Sequence, residues 1–269
     1  MNFISTNHQG GIGNVMFKLA AAISLALDNN IDYIFSNEFL RPVDQITTHG
    51  QPDYRRFYDN ILRNITFIDT LPGPYTIYNQ PGFHYQDIPY QLNTNLLLIG
   101  HYQSDKFFIN NKQYIIDLYK PSTETKKLIQ SSYNNLSEYI SIHVRRGDYL
   151  QYPNHHPQQT IEYYQSAVYN IGLDKTYMIF SDDINGCKSM FEFIPNKIFY
   201  NSGIDWLDMY IMSMCKHNII CNSSFSWWGA YLNENPTKIV IAPKKWFGVV
   251  YESWDTTDLI PASWLIINK

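Results

Sequence analysis

Cysteine is scarce in this chain: three in 269 residues (Cys187, Cys215 and Cys221), odd in number and without a Cys-x-x-Cys pair. That excludes a disulfide framework, and without a His-x-x-x-His spacing no zinc signature remains. Cys215 and Cys221 lie in apolar surroundings and read as small buried hydrophobes. Long hydrophobic runs are missing too. The apolar run at residues 17–27 is too short to span a bilayer, and Lys18 interrupts it. No lysine or arginine precedes that run, as a signal peptide would require. Charge is sparse, at 16% of residues with a net charge of -4 and a pI near 6.0. This balance excludes the broad basic face of a nucleic-acid binder. Internal repeats and low-complexity tracts are absent. The expectation is a soluble, cytoplasmic protein with no membrane segment, in which the sequons at Asn64, Asn135 and Asn222 carry no weight.

What is present is a hydrophobic fraction of 45% and an aromatic fraction of 16%, including 22 tyrosines. Such a chain folds, as one large domain or two compact ones. The second half alternates regularly. Strand-like runs fall at residues 139–144, 177–181, 197–200, 217–221 and 238–242. Helical patterns lie between them at 161–171, 185–193, 206–215 and 225–232. Short strands separated by helical crossovers predict a parallel sheet covered on both faces. The first half opens in the same style, with a strand at 3–6, a glycine-rich turn at 10–14 and a helix at 15–28. Further strands are expected at 32–35 and 96–100, and a helix at 122–132. Residues 41–95, rich in Pro, Asn and Tyr, resist assignment. The expected domains are 1–136 and 137–269.

The most informative stretch is Ser141-Ile142-His143-Val144-Arg145-Arg146-Gly147-Asp148-Tyr149. A strand ends there on two guanidinium groups, a glycine and a carboxylate. Arginine forks suit a phosphate bidentately and keep their charge. A nearby carboxylate can take a proton from an incoming hydroxyl. Ligands in parallel sheets sit beyond the carboxyl ends of the strands, and Arg145, Arg146, Asp148, Ser181, Asp182, Asn222 and Ser223 all follow such ends. Together they suggest transfer of a group away from a phosphate leaving group; a solvated basic turn is the simpler alternative for the arginine motif alone.

Other motifs are more ambiguous one by one. Gly10-Gly11-Ile12-Gly13-Asn14 lets the backbone turn sharply and approach a ligand closely. It lacks the third glycine of the dinucleotide fingerprint, and Asn14 could cap the helix or orient a substrate group. Asn222-Ser223-Ser224-Phe225-Ser226-Trp227-Trp228-Gly229 is a second strand-to-helix junction, suited to an anion or to simple capping by Ser223 or Ser224. Trp227 and Trp228 read as packing residues. Asp182 and Asp183 read as helix caps before a metal pair. Asp205 and Asp208 open an apolar helix, where capping competes with ligand contact. His155 and His156 sit in a proline-rich loop, within reach of an acceptor or simply solvated.

Taken in order, these motifs resemble the inverting α1,2-fucosyltransferases of glycosyltransferase family 11. The matching runs include Gly-Gly-Ile-Gly-Asn-Val-Met-Phe, Gly100-His101-Tyr102-Gln103-Ser104-Asp105-Lys106-Phe107-Phe108 and His143-Val144-Arg145-Arg146-Gly147-Asp148-Tyr149. Phe180-Ser181-Asp182-Asp183, Asp208-Met209-Tyr210, the Asn222 motif and Ile239-Val240-Ile241-Ala242-Pro243-Lys244-Lys245-Trp246-Phe247 continue the set, which ends on Asp258-Leu259-Ile260-Pro261. The resemblance implies a GT-B-like α/β fold, two Rossmann-like parallel-sheet domains facing a central cleft. It implies GDP-fucose as co-substrate, a glycan acceptor ending in galactose whose 2-hydroxyl attacks, and neither metal nor cofactor. Arg145 would contact the β-phosphate with Arg146 beside it, and Asp148 is the carboxylate nearest to hand as base. His143 and Asp208 would touch guanine, Ser223 and Ser224 the phosphates or nucleotide. Gly11 and Gly13 would line the donor, and Asn14 would position the reacting groups. The sequence departs from the family at Val15, where glutamine is usual, which removes one polar contact beside the glycine turn. Two alternatives stay open: another GDP-sugar on the same fold, and a non-catalytic module that binds glycan or nucleotide.

Overall fold

The computed structural model describes residues 2–39, 54–91 and 93–269; residues 40–53, part of the stretch without an assignment above, lie outside the described set. The chain divides into two compact units, one running to Lys120 and taking in Trp254–Pro261, the other made of Pro121–Ser253 and Ala262–Lys269. The boundary expected near Leu136 falls inside the second unit by this division.

In the first unit, β1 (Phe3–Thr6), β2 (Asp32–Tyr33), β5 (Thr76–Asn79) and β6 (Leu96–Ile99) form a parallel sheet in the order β2-β1-β6-β5. A separate parallel pair joins β3 (Phe35–Ser36) to β4 (Phe67–Ile68). The helix α1 (Ile12–Asp28) is rich in Ala and Leu, which favour helix, and it is buried on nearly every side. It ends where Asn30 takes the left-handed conformation (φ 54) and Ile31 N–H donates back to Ala26 O at 3.1 Å. After β6 comes α2 (Lys112–Tyr119), whose Tyr119 hydroxyl donates to Met16 O inside α1. The returning segment 254–261 is tied in by Trp254 stacked on Phe83, with centroids 5.0 Å apart. Its Asp258 accepts from Tyr85 N at 3.2 Å and pairs with Lys106.

The second unit opens with α3 (Thr123–Ser132), capped by Ser122. Strand and helix then alternate: β7 (Ile140–Val144), α4 (Ile161–Ile171), β8 (Tyr177–Ser181), α5 (Ile184–Cys187) and β9 (Lys197–Tyr200). The chain continues with α6 (Asp205–Ser213), β10 (His217–Ile219), α7 (Ser224–Tyr231), β11 (Val240–Pro243) and β12 (Leu265–Ile267). All six strands are parallel, in the order β12-β11-β10-β7-β8-β9. The chain starts mid-sheet at β7, winds outward to β9, returns to β10 beside β7 and winds outward again. The reversal lies between β7 and β10, where doubly wound sheets place their ligands.

That reversal is firmly fixed. Ile140, Ile142 and Val144 of β7 pack with Tyr163, Tyr164 and Val168 of α4 in the core. The Tyr164 hydroxyl donates to His143 O at 3.1 Å and the Tyr163 hydroxyl to Ile220 O at 2.5 Å. Asn218 donates to Ser141 Oγ at 2.7 Å and accepts from Asn233 at 2.8 Å. Trp227 and Trp228 are fully buried, as their reading as packing residues anticipated. Cys215 and Cys221 are buried as well.

Two expected elements differ in form. Residues 185–193 hold a four-residue helix and a 3-10 turn instead of one helix. Asp183 caps the short helix through Gly186 N–H, and Gly186 leaves room for the Asp183 carboxylate. Residues 32–35 do not form one strand: β2 and β3 belong to different sheets, parted at Ile34, whose N–H donates to Ile4 O.

A candidate anion site at the strand reversal

The register of β7 against β8 pairs Val144 with Ser181, so the next residues, Arg145 and Asp182, emerge side by side. Arg145 is gripped from two directions. Its NH1 lies 2.9 Å from Asp182 Oδ2, while its Nε (2.9 Å) and NH2 (2.7 Å) both reach Asp148 Oδ1. The guanidinium also sits over the Tyr149 ring, 5.8 Å from its centroid. Asp182 does a second task, accepting from Arg146 N at 2.9 Å through Oδ1. Gly147 makes this possible, because a Cβ there would stand 2.5 Å from Asp182 Oδ2.

Arg146 turns to a different set of partners: its Nε donates to Asp183 Oδ2 (3.0 Å) and its NH1 to Gln158 Oε1 (3.1 Å). Its side chain is 19% exposed against 36% for Arg145. The Gly186 N–H, then Arg146, holds the Asp183 carboxyl below the usual carboxylate range. Asp182 and Asp183 therefore act as arginine holders, and Asp183 also as the expected cap.

On the β10 side, Tyr149 hydroxyl donates to Asn222 O at 2.8 Å, joining the arginine loop to the second junction. Asn222 Nδ2 donates to Pro157 O (2.9 Å) and Trp246 O (2.8 Å), so one amide ties three segments together. Ser223 occupies the N-cap position of α7 without a side-chain capping bond, so its hydroxyl is not consumed there. Ser224 opens the helix. His143, within β7, is buried; its Nδ1 lies 3.1 Å from Cys221 Sγ and its ring against Phe225. Burial, then Arg145, pushes its pKa down to about 3, so the ring is neutral. Asp208, in the first turn of α6, accepts from Ser202 N (3.1 Å) and Ser202 Oγ (2.5 Å), both on Oδ1. Burial raises its pKa despite those bonds.

His155 and His156 were expected to be solvated or to touch an acceptor, and both are half-buried among aromatic rings. His156 stacks on Tyr149, centroids 4.9 Å apart and planes at 19°. His155 meets Tyr152 and Tyr251 edge-on. The structure thus brings Arg145, Arg146, Asp148, Asp182, Tyr149, Asn222 and His156 into one network. The side-chain partners of Arg145, and the parts of Tyr149 and Asn222, were not readable from sequence. Strand order brings β7 beside β8 and β10, and no local pattern encodes that order.

Gly11, Gly13 and Asn14 belong to the first unit. Gly10 takes φ 123, a conformation that favours glycine, and Gly11 precedes α1 with open space where a Cβ would point. Gly13 is buried in the first turn of α1. Asn14 does not cap the helix; its Oδ1 accepts from the buried Gln103 Nε2 at 3.0 Å. Val15 is fully buried, a position suited to an apolar residue. Close by, Lys18 is buried, its Nζ donating to Gln9 O at 2.9 Å and approaching Asn7 Oδ1 at 3.5 Å. Burial lowers its pKa to about 8. Among the described residues no three His, Cys, Asp or Glu side chains converge as a metal site, and no helix is long and apolar enough to cross a membrane.

Two parallel-sheet units, one of them doubly wound, are the arrangement of the GT-B-like fold class. The similarities agree. A crystal structure of POFUT1 in complex with GDP aligns with a TM-score of 0.51 at 12% identity, over 90% of this chain and 97% of that one, a likeness of fold alone. The chain belongs to glycosyl transferase family 11, whose model it matches over residues 2–268. It is 28% identical to the O-antigen biosynthesis glycosyltransferase WbnK of Escherichia coli, over 95% of this chain and 97% of the relative. It is 26% identical to an alpha-1,2-colitosyltransferase of Escherichia coli over the full length of both.

Proposed function

We propose that this glycosyltransferase moves L-fucose from GDP-fucose to the 2-hydroxyl of a galactose in a glycan acceptor, with inversion and without a metal ion. The observation that carries the reading is Arg145: a half-exposed guanidinium at the strand reversal, held by two carboxylates and set over Tyr149, whose hydroxyl bonds Asn222 O just before α7. As the C1–O bond of the donor stretches, negative charge grows on the β-phosphate. A fixed guanidinium and the helix-start amides can neutralise that charge without reorganising, which is where such sites gain most of their rate.

Arg145 meets the donor by exchanging partners. Asp148 is 55% exposed, and ion pairs so exposed contribute little, about 0–1 kcal/mol. A diphosphate can therefore displace it from the Nε and NH2 edge while Asp182 keeps NH1 in place. Arg146, turned to Asp183 and Gln158, supports the loop instead of the phosphate. Ser223, whose hydroxyl makes no capping bond to α7, is the second phosphate contact, with Ser224 next to it in the chain. Asp208 Oδ2, which has no partner among the described residues, is the group to read the guanine edge. His143 backs the site from below through Cys221. Within the first unit, Gly11 leaves its backbone open to close approach by a ligand, and Gln103 orients Asn14.

The relative named as a colitosyltransferase favours a second reading, in which the donor is a GDP-linked deoxyhexose lacking one hydroxyl of fucose. The test is incubation with GDP-fucose, GDP-colitose and GDP-mannose in EDTA with a terminal-galactose acceptor, following GDP release, product mass and linkage by NMR. A fucosylated galactose linked at its 2-hydroxyl is expected. Turnover of GDP-colitose alone would shift the donor to the second reading, and a requirement for added metal would overturn the metal-free mechanism.

A further inference from the structure

Asp148 is poorly held as the base that accepts the acceptor proton: it is 55% exposed, its ion pair with Arg145 is its one side-chain bond among the described residues, and the diphosphate takes that partner away. We propose that His156 is the catalytic residue that takes the proton of the acceptor hydroxyl; this rests on the transferase reading above. Its imidazole is half-buried, and neither ring nitrogen makes a hydrogen bond among the described residues. The ring is held by stacking alone, flat on Tyr149 and tilted against Phe247 and Tyr251. Tyr149 is also the ring under Arg145, so the phosphate-binding guanidinium and the unpartnered imidazole share one neighbour.

The loop bearing His156 is rigid by construction. His155 N and His156 N both donate to Tyr152 O, at 3.0 and 2.9 Å. Asn222 fixes Pro157 O, Gly248 N donates to His155 O at 2.9 Å, and Val250 N donates to Asn154 O at 3.1 Å. A Cβ at Gly248 would run into the Asn154 carbonyl, so the two segments meet backbone to backbone. A base must be held in position before it is useful, and this one is fixed by four backbone contacts and a stack.

Burial lowers the imidazole's pKa, with Asp148 opposing and His155 and Arg145 adding to the effect. The ring is therefore neutral at pH 7 and able to accept a proton. As the C1–O bond to the β-phosphate breaks, GDP leaves with the electron pair. The acceptor oxygen bonds to C1 and its proton passes to a His156 ring nitrogen, from which solvent later removes it. No co-reactant is required.

The test compares His156→Phe, which keeps the stack on Tyr149, with His156→Gln and the unaltered protein. Melting temperature, GDP affinity by calorimetry, and kcat across pH 5–9 are measured for each. The groups around the ring that could also titrate are Asp148, His155, Tyr149 and Tyr251. The expected result is a fall in kcat of about a hundredfold or more in both variants, the usual weight of a general base. GDP affinity should stay within about threefold, and the acid limb seen in the unaltered protein should vanish. A folded His156→Phe with kcat near that of the unaltered protein would overturn the role while leaving the transferase reading intact. An unaltered protein that transfers no GDP-sugar in the same assay would overturn that reading and this role with it.

Discussion

The carboxyl end of β7 and the carboxyl end of β1 occupy equivalent places, each at a central strand of its own parallel sheet, yet they handle charge in opposite ways. At β7 the two guanidiniums are met by Asp148, Asp182 and Asp183. At β1 the buried Lys18 ammonium meets a backbone carbonyl and an amide oxygen. A charge surrounded by counter-charges keeps its charge and a defined direction, ready to be handed to a ligand. A buried charge given only dipoles is governed by desolvation, and its proton becomes loosely held. The first arrangement suits binding an anion. The second makes a group whose charge depends on pH.

Substitutions at the two rims sharpen this contrast. The largest effect is expected from Arg145→Ala, which removes the guanidinium proposed to neutralise the negative charge that develops on the β-phosphate. Transfer should fall by a hundredfold or more, about 3 kcal/mol of transition-state stabilisation, with the melting temperature little changed. A folded Arg145→Ala enzyme of near-normal activity would end the exchange mechanism. Next is Gly147→Ala, which drives Asp182 away from both Arg145 and Arg146 N–H. The overlap should cost about 1–3 kcal/mol of stability and lower transfer roughly tenfold; wild-type kinetics would show that Asp182 does not hold the fork.

The smallest and most particular effect belongs to Lys18. Its pKa falls from 10.5 to about 8 on folding. Between those values the unfolded chain carries a proton that the folded one has lost, so stability rises with pH across this window. In Lys18→Met that rise disappears. The stability difference between the two proteins, from urea titrations, should change by about 2 kcal/mol between pH 7 and pH 10. A difference independent of pH would mean that the ammonium is solvated, and the contrast between the rims would fail.

Much of the second unit was legible because its inner strands are buried and helices such as 161–171 are amphipathic. Residues 161–171, 177–181 and 197–200 have the expected bounds. What escaped were elements without that contrast. Thr76–Asn79 is a largely exposed strand at the sheet edge, and Leu265–Ile267 is another. In neither does a hydrophobic face signal a strand. The arginine motif suggested an anion site by its residue types alone. Its geometry was hidden, because Asp182 lies 37 residues after Arg145 and meets it only through the β7–β8 register. The same holds for Asn222, whose clamp on Pro157 and Trp246 spans loops that no sequence period connects.

The segment Trp254–Pro261 has a consequence for how the molecule is made. It completes the first unit, stacking Trp254 on Phe83 and placing Asp258 against Tyr85 and Lys106, yet it is translated after residues 121–253. Domains emerging from the ribosome generally fold as units in the order of synthesis. Here the unit that begins first must wait, missing the Trp254 stack and the carboxylates of Asp255 and Asp258 that meet His84, Tyr85 and Lys106, until the body of the other has emerged. Birth order and completion order are inverted.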